Sequence, residues 1–416
     1  MKTQRLVHRR TAACIGATAL LTTGLLILLL PSHPGGEAGE KPTRNRVANS
    51  QDLPLTTLSG DGPKGSPSES LVTEVPPAVA ATLTAFEAEF KALAAETGLT
   101  KEERATKARA ILSRLREALR GLPADQAAAA IVAFLNTRRD VSTGLGFTLA
   151  AGGVLEDAPT LRTSLLDLLG QFDPNLSVEY ARTVFADRQN AEEWALALRS
   201  LGWQNQDGVH TAELRTRLTE MLDNSAWLAQ PGSGFFESFD LAVHLGGTAD
   251  FSAMASVMRL TDSDGNPVRN GTTHAAYLAL DRLTTMNPDQ TLTQIAADTD
   301  LLSWAPEHRG SLIARADVTS PAQLTALESC LATIATRPQE LETFTTMFPN
   351  RNGTLGNALV TTPPAQTPHE VLIAGDKAAL ATVNRWIQGG TYPVIEENLR
   401  TIAARLQGFV ASAGSQ

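Results

Sequence analysis

Leu168-Leu169-Gly170-Gln171-Phe172-Asp173 closes an apolar run with a small residue, a polar turn and a helix-capping residue, and the phrase returns three times downstream. Its relatives are Ser200-Leu201-Gly202-Trp203-Gln204-Asn205, His244-Leu245-Gly246-Gly247-Thr248 and, with the glycine lost, Arg282-Leu283-Thr284-Thr285-Met286-Asn287. The leucines at 169, 201, 245 and 283 lie 32, 44 and 38 residues apart, the length of one helical hairpin in the common repeat families. Apolar residues at helical spacing resume after each phrase, as in 178–185 and 214–222. Each phrase therefore reads as the turn between the two helices of a hairpin.

The flanking sequence carries the same signal. Leu83, Phe86, Phe90 and Leu93 form one helical stripe, and Ala108, Ile111, Leu112, Leu115 and Leu119 form a second. Ile395, Leu399, Ile402, Leu406 and Phe409 form the last. Start signals separate the stripes: Thr100 with Glu103 and Ser320 with Gln323 fit the capping box, and Pro321 stands at a first helical position. Asp173-Pro174 and Asn287-Pro288 pair a capping residue with proline. Strand-type alternation is not sustained anywhere. The expected fold is all-α, an irregular helical-hairpin (α-solenoid-like) array. Over about residues 123–300 the chain resembles the HEAT/armadillo class of α-solenoids, and that resemblance implies a scaffold surface that binds other proteins.

Ahead of the array the chemistry changes twice. Lys2, Arg5, Arg9 and Arg10 precede an uncharged run over 12–30, whose nineteen residues would span roughly 28 Å as a helix, close to the hydrocarbon thickness. With all the basic residues before it, the run reads as a transmembrane signal-anchor over 11–30, with residues 1–10 cytoplasmic and the rest extracytoplasmic. Gly36-Glu37-Ala38 offers a small-x-small alternative, cleavage near Ala38 and release of the domain. Residues 31–76 are rich in Pro, Gly, Ser and Thr and lack the apolar surface to offset their ordering entropy, so they read as a disordered stalk. The helical repeat-like domain is expected over 77–348. Turn chemistry at 261–273 and 349–370 interrupts the pattern, and 371–416 is expected to form a C-terminal helical cap.

Composition excludes several roles. The net charge of −9 opposes binding to a nucleic-acid backbone. The two cysteines, Cys14 in the apolar run and Cys330 in a helical stripe, are placed too differently to pair. Asp262, Asp264 and Asn266 open like a calcium loop, but Pro267 and Thr273 stand where that loop needs Gly and Glu, so an ordinary turn is expected. The seven histidines include no i, i+4 pair, and no Gly-rich phosphate loop or Gly-x-Ser-x-Gly elbow occurs. No catalytic residue, metal ligand or cofactor site is picked out. The basic stretch 101–120 reads as a solvated, paired helix face, and Asn270-Gly271-Thr272 and Asn352-Gly353-Thr354 read as turns. The expectation is a membrane-anchored extracytoplasmic scaffold mediating protein–protein interaction, with Trp194, Trp203 and Trp227 as candidate partner-binding anchors. The rival is an extracytoplasmic hydrolase with its active site in a groove, which would need convergent Asp, Glu or His side chains.

Overall fold

The computed structural model describes residues 77–187, 190–261, 270–353, 358–362 and 365–413. The apolar run 11–30, the stretch 31–76 and the turn at 262–266 lie outside the described residues. Among the described residues no helix is long and apolar enough to cross a membrane.

Helix dominates, as the periodicity predicts. Three helices come first: α1 (Pro77–Ala95), α2 (Lys101–Arg120) and α3 (Ala124–Asn136). The capping box at α2 forms in both directions, Thr100 accepting from the Glu103 N–H and Glu103 accepting from the Thr100 N–H. The buried side of α2 is Ala108, Ile111, Leu112, Leu115 and Leu119, the stripe read from the sequence. A small antiparallel hairpin follows, β1 (Thr148–Leu149) and β2 (Leu155–Asp157), which is too short to leave a strand-type pattern.

The array then runs through α4 (Leu161–Phe172), α5 (Pro174–Asp187), α6 (Ala191–Trp203), α7 (Thr211–Leu222), the short α8 (Ser225–Ala229), α9 (Ser233–Glu237) and α10 (Asp240–Leu245), and α11 (Thr248–Met258). It continues through α12 (Gly271–Met286), α13 (Pro288–Ala297), α14 (Pro306–Ile313), α15 (Pro321–Ile334) and α16 (Pro338–Met347), and ends with α17 (His369–Gln388) and α18 (Glu396–Ala413). The four quoted phrases close α4, α6, α10 and α12; the next helix follows within two residues after α4, α10 and α12, and beyond the turns of 204–210 after α6. Gly246 caps α10 in the left-handed conformation (φ 70°), which glycine adopts without a Cβ clash. The 44-residue interval between Leu201 and Leu245 is long because it also holds α8 and α9. Four successive helices, α13 to α16, open on a proline, whose missing N–H would have had no partner in the first turn.

The hairpins pack in two layers. In the first, α4 touches α6, then α10, α12, α14, α16 and α18 follow in order, each against the one before. In the second, α7, α11, α13 and α15 do the same, with α5 joined to α7 through Arg182 and Glu213. This is the stacking of a solenoid-like array. At its C-terminal end α18 lies on α16, where Arg405 donates to the carbonyls of Thr345 and Thr346, and Trp386 of α17 donates to Glu328 of α15 at 3.0 Å.

Arginine–carboxylate pairs tie neighbour to neighbour. In the first layer Arg162 holds Glu193 through two bonds of 2.9 and 3.0 Å, and Arg199 holds Asp167, both pairs joining α4 to α6. Arg282 holds Asp240 across α10 and α12 at 2.7 Å, Arg315 holds Asp281 of α12, and Arg309 holds Glu340 across α14 and α16. In the second layer Arg215 holds Asp250 across α7 and α11, and Gln323 of α15 donates to Asp289 of α13 at 2.7 Å. The first-layer partners are 31, 32, 42, 34 and 31 residues apart, so the pairs repeat with the hairpins. A buried pair adds little net stability, but losing one partner leaves a bare charge in the core, so these pairs penalise any shift of register.

Candidate binding site

Helices α4 and α6 are buried nearly all round: residues 161–170 of α4 and all of 191–202 except Glu192 are enclosed. Contact with the second layer covers one side only, so something else must cover the other. Two pieces of chain do so. The β1–β2 hairpin lies on α4, where the Leu155 N–H donates to Asp167 at 3.0 Å and the Gly153 carbonyl accepts from Arg199 at 2.7 Å. The second piece is the described stretch 358–362, from the interruption between α16 and α17.

That stretch is held by its main chain. Asp240, the first residue of α10 and 1% exposed, accepts the N–H groups of Val360 and Thr361 on the same oxygen, both at 2.7 Å. Its other oxygen accepts the Thr361 hydroxyl and the Arg282 guanidinium. Arg282 also donates to the Thr361 hydroxyl oxygen. Two consecutive amides converging on one carboxylate oxygen form an anion-binding concavity, here filled by a side chain. Leu359 is fully buried.

Two glycines make room. A Cβ on Gly153 would lie 2.1 Å from the Leu359 carbonyl oxygen, and Gly153 has φ +75°, so both space and backbone require glycine there. A Cβ on Gly202, in the second of the repeated phrases, would meet the Val360 methyls at 3.0 and 3.1 Å. The site is thus assembled from the hairpin, α6, α9, α10 and α12, five elements that only the packed array brings together.

Its electrostatics are strained. Burial foremost pushes the Glu237 carboxyl up to about 7, and the nearby Asp240 charge adds to it; a hydrogen bond from the Ala358 main chain and the Arg282 charge oppose it. Burial also raises Asp240, against the Thr361 hydroxyl, Arg282 and the two amides. His244, one turn after Asp240, is half-buried and lowered by burial, with Asp240 pulling the other way.

The three tryptophans do not share a surface. Trp194 is 1% exposed, edge-on to Phe185 at 4.9 Å and to Trp227 at 5.4 Å, and Trp227 is also buried. Trp203 alone keeps a partly open ring, with the Arg199 guanidinium 4.1 Å over it. Cys330 is buried, and burial pushes its thiol up to about 11, far from a reactive thiolate. Asn270 caps α12 by accepting from the N–H groups of Thr272 and Thr273. The basic face of α2 is paired, but with partners outside the helix rather than at the i, i+3 and i+4 spacing read from the sequence: Lys107 with Glu96, Arg114 with Glu89 of α1, and Arg109 with Asp157 of β2.

A groove hydrolase would need free acids. A cavity of about 240 Å³ beside α4 and α6 gathers Asp140, Asp187 and Glu193, yet Glu193 is held by Arg162, Asp187 by Arg138, and Asp140 by the N–H groups of Val141 and Arg162. A second, of about 610 Å³ near the end of α12, is lined by Arg315, Arg351, Asn350 and Gln323, with Asp317 the one acid among its described lining residues. Among the described residues no group of three or more His, Cys, Asp or Glu side chains is placed to hold a metal ion.

Comparison of the chain with protein-family models, with curated proteins and with solved structures gives no match.

The residues that build the site escaped the sequence reading. Asp240 and Arg282 carried a signal, as charged residues inside apolar helical phrases (Phe239-Asp240-Leu241 and Asp281-Arg282-Leu283). Gly153, Leu359 and Thr361 carried none, since their meaning depends on contacts across more than a hundred residues.

Proposed function

We propose that this chain is a membrane-anchored extracytoplasmic scaffold that receives a short bent protein segment on the far side of its first layer, beside the stretch 358–362. One observation supports the reading: the array already holds a short bent stretch of chain there, through main-chain hydrogen bonds to a buried carboxylate and through glycines that admit a backbone at close range. Consecutive backbone amides turned toward one anionic oxygen form a concavity that recognises charge, and here it is the array that supplies the carboxylate and the bound segment that supplies the amides. The anchor over 11–30 would hold this surface near the bilayer, with the stretch 31–76 as spacer.

A photo-reactive side chain at Thr362, which is exposed beside the site, tests it in intact membranes. The expected result is an adduct with a second protein from position 362 and none from Thr216, which is exposed on α7 in the second layer. Adducts confined to the chain itself would sink the scaffold reading. Sequencing the mature N-terminus separates the anchored form from one released after Ala38.

A further inference from the structure

Arginines inside the array are matched to carboxylates at hydrogen-bond distance, as Arg162 is to Glu193 and Arg282 to Asp240. Arg351, in the stretch after α16, differs. Its ion pair with Asp376 of α17 stays at 3.8 Å, beyond hydrogen-bond reach. Its Nε is buried and has no hydrogen-bond partner among the described residues. A guanidinium carries five donors in one plane, and a buried donor left unmet is costly. The position is nonetheless built. A Cβ on Gly375 would lie 2.2 Å from an Arg351 Nη and 2.3 Å from its Cζ, so the guanidinium lies against α17 at a point that only glycine leaves open. Glycine weakens a helix interior, and here it gives the arginine its place.

Arg351 lines the cavity of about 610 Å³ that Thr284 of α12, Gln323 of α15 and Leu372 of α17 help to enclose. That volume falls in the range of roughly 300–1,000 Å³ typical of ligand sites. The other charged groups of its described lining are engaged. Arg315 holds Asp281 at 2.7 Å, and Asp317 accepts the N–H and the hydroxyl of Thr319. Two of the amides are engaged as well, Gln323 donating to Asp289 and Asn350 to Ser311. Arg351 is thus the cation of this wall that no described carboxylate holds at bonding distance. With Asp317 and Asp376 close by, one such cation suits a single negative charge and opposes a dianion such as phosphate. The planar fork of a guanidinium matches a carboxylate. Asn352 and Gln366, each with amide donors and an acceptor, complement another amide, and the described lining holds no aromatic face for a sugar ring.

We infer that this cavity binds a carboxylate carried on an amide-bearing body, the chemistry shared by a peptide C-terminus and a free N-acylated amino acid, with Arg351 as its anchor. The inference does not rest on the receiver at Asp240 and Arg282.

The probe is a pool of N-acetylated tripeptides, randomised without Asp or Glu and ending in a free carboxylate, with the same pool amidated as control. Both are passed over the immobilised full chain, and the retained fraction is read by mass spectrometry. The expected result is retention of the carboxylate pool about tenfold or more above the amidated pool, the difference a charged hydrogen bond supplies. Arg351→Gln should abolish that difference, and Arg351→Lys, which keeps the charge but not the fork, should restore only part of it. Gly375→Ala drives the guanidinium off α17 and should weaken retention too; it stands in for Arg351→Gln if that variant loses its helical circular-dichroism signal. A pool of N-acetylated amino acids separates the two sources: retention equal to that of the tripeptides assigns a free small molecule, and weaker retention a chain terminus. Equal retention of the carboxylate and amidated pools overturns the inference, as does a difference that survives in Arg351→Gln. Displacement of the pool by equimolar inorganic phosphate overturns the choice of a singly charged carboxylate.

Discussion

The two layers of the array are built from similar hairpins but differ in what each helix buries. In α7, of the second layer, only Leu214, Leu218, Met221 and Leu222 are buried, and in α13 only Thr291, Leu292 and Ile295: one stripe each, with the other side in solvent. In α4 ten consecutive residues are buried, including Arg162 and Asp167. The difference shows that the α4–α6 part of the first layer is an interior, covered on its far side by the hairpin and by 358–361, whereas α16 and α18 of the same layer bury one stripe each. Charges enter that interior only in pairs. A surface that in a bare solenoid would face water is here already in contact with chain.

The largest effect should come from breaking a first-layer pair. Arg199→Met leaves Asp167 buried opposite an apolar side chain and should cost about 3–5 kcal/mol in urea unfolding. Arg182→Met, which removes the half-exposed partner of Glu213 in the second layer, should cost less than about 1 kcal/mol. Equal losses would erase the distinction between the layers. Adding Asp167→Leu to Arg199→Met should recover much of the first loss, because the bare carboxylate goes with it.

Next in size is the seat of 358–361. Gly153→Ala forces a Cβ against the Leu359 carbonyl at a positive φ and should cost about 1–3 kcal/mol. Its signature is local: amide exchange of Val360 and Thr361 should accelerate more than that of α13. Uniform acceleration would mean that this stretch is not an independently opening part of the first layer.

A smaller effect is expected from pH. Glu237 is raised in the folded chain, so its contribution is fully present below the ordinary carboxylate range and is lost as pH rises from about 4.5 through about 7. The groups facing it are Asp240, itself raised, Arg282 and the Ala358 main chain. Protection of the Val360 and Thr361 amides, corrected for intrinsic exchange, should therefore fall by on the order of tenfold between pH 5.5 and pH 8.5. Glu237→Gln should flatten that slope; a slope that persists would assign it to another group. Smallest of all, Thr216→Ala on the open side of α7 should leave the free energy of urea unfolding within about 0.5 kcal/mol of the parent.

Much of the helical framework was legible residue by residue. The repeated Leu-Gly phrases mark the ends of α4, α6 and α10, the capping box at Thr100 forms as read, and prolines open the helices where they were expected. These signals are local: a cap or a stripe depends on residues within one or two turns. The short helices α8 and α9 were not legible, because five residues cannot display a 3.6-residue period. Nor was the β1–β2 hairpin, whose two strands are two and three residues long.

By itself, then, the sequence determined that this chain builds helical hairpins, where most of them turn, and that its charged residues are not assembled into a known catalytic motif. The tertiary structure alone decided which charges pair, that Trp194 and Trp227 meet edge-on inside the core, and that Asp240 meets residues 360 and 361 more than a hundred positions away. The physical reason is range. Propensity and capping are settled within a few residues, whereas the meaning of a buried carboxylate or a tight glycine is set by whichever distant backbone the packed array brings against it.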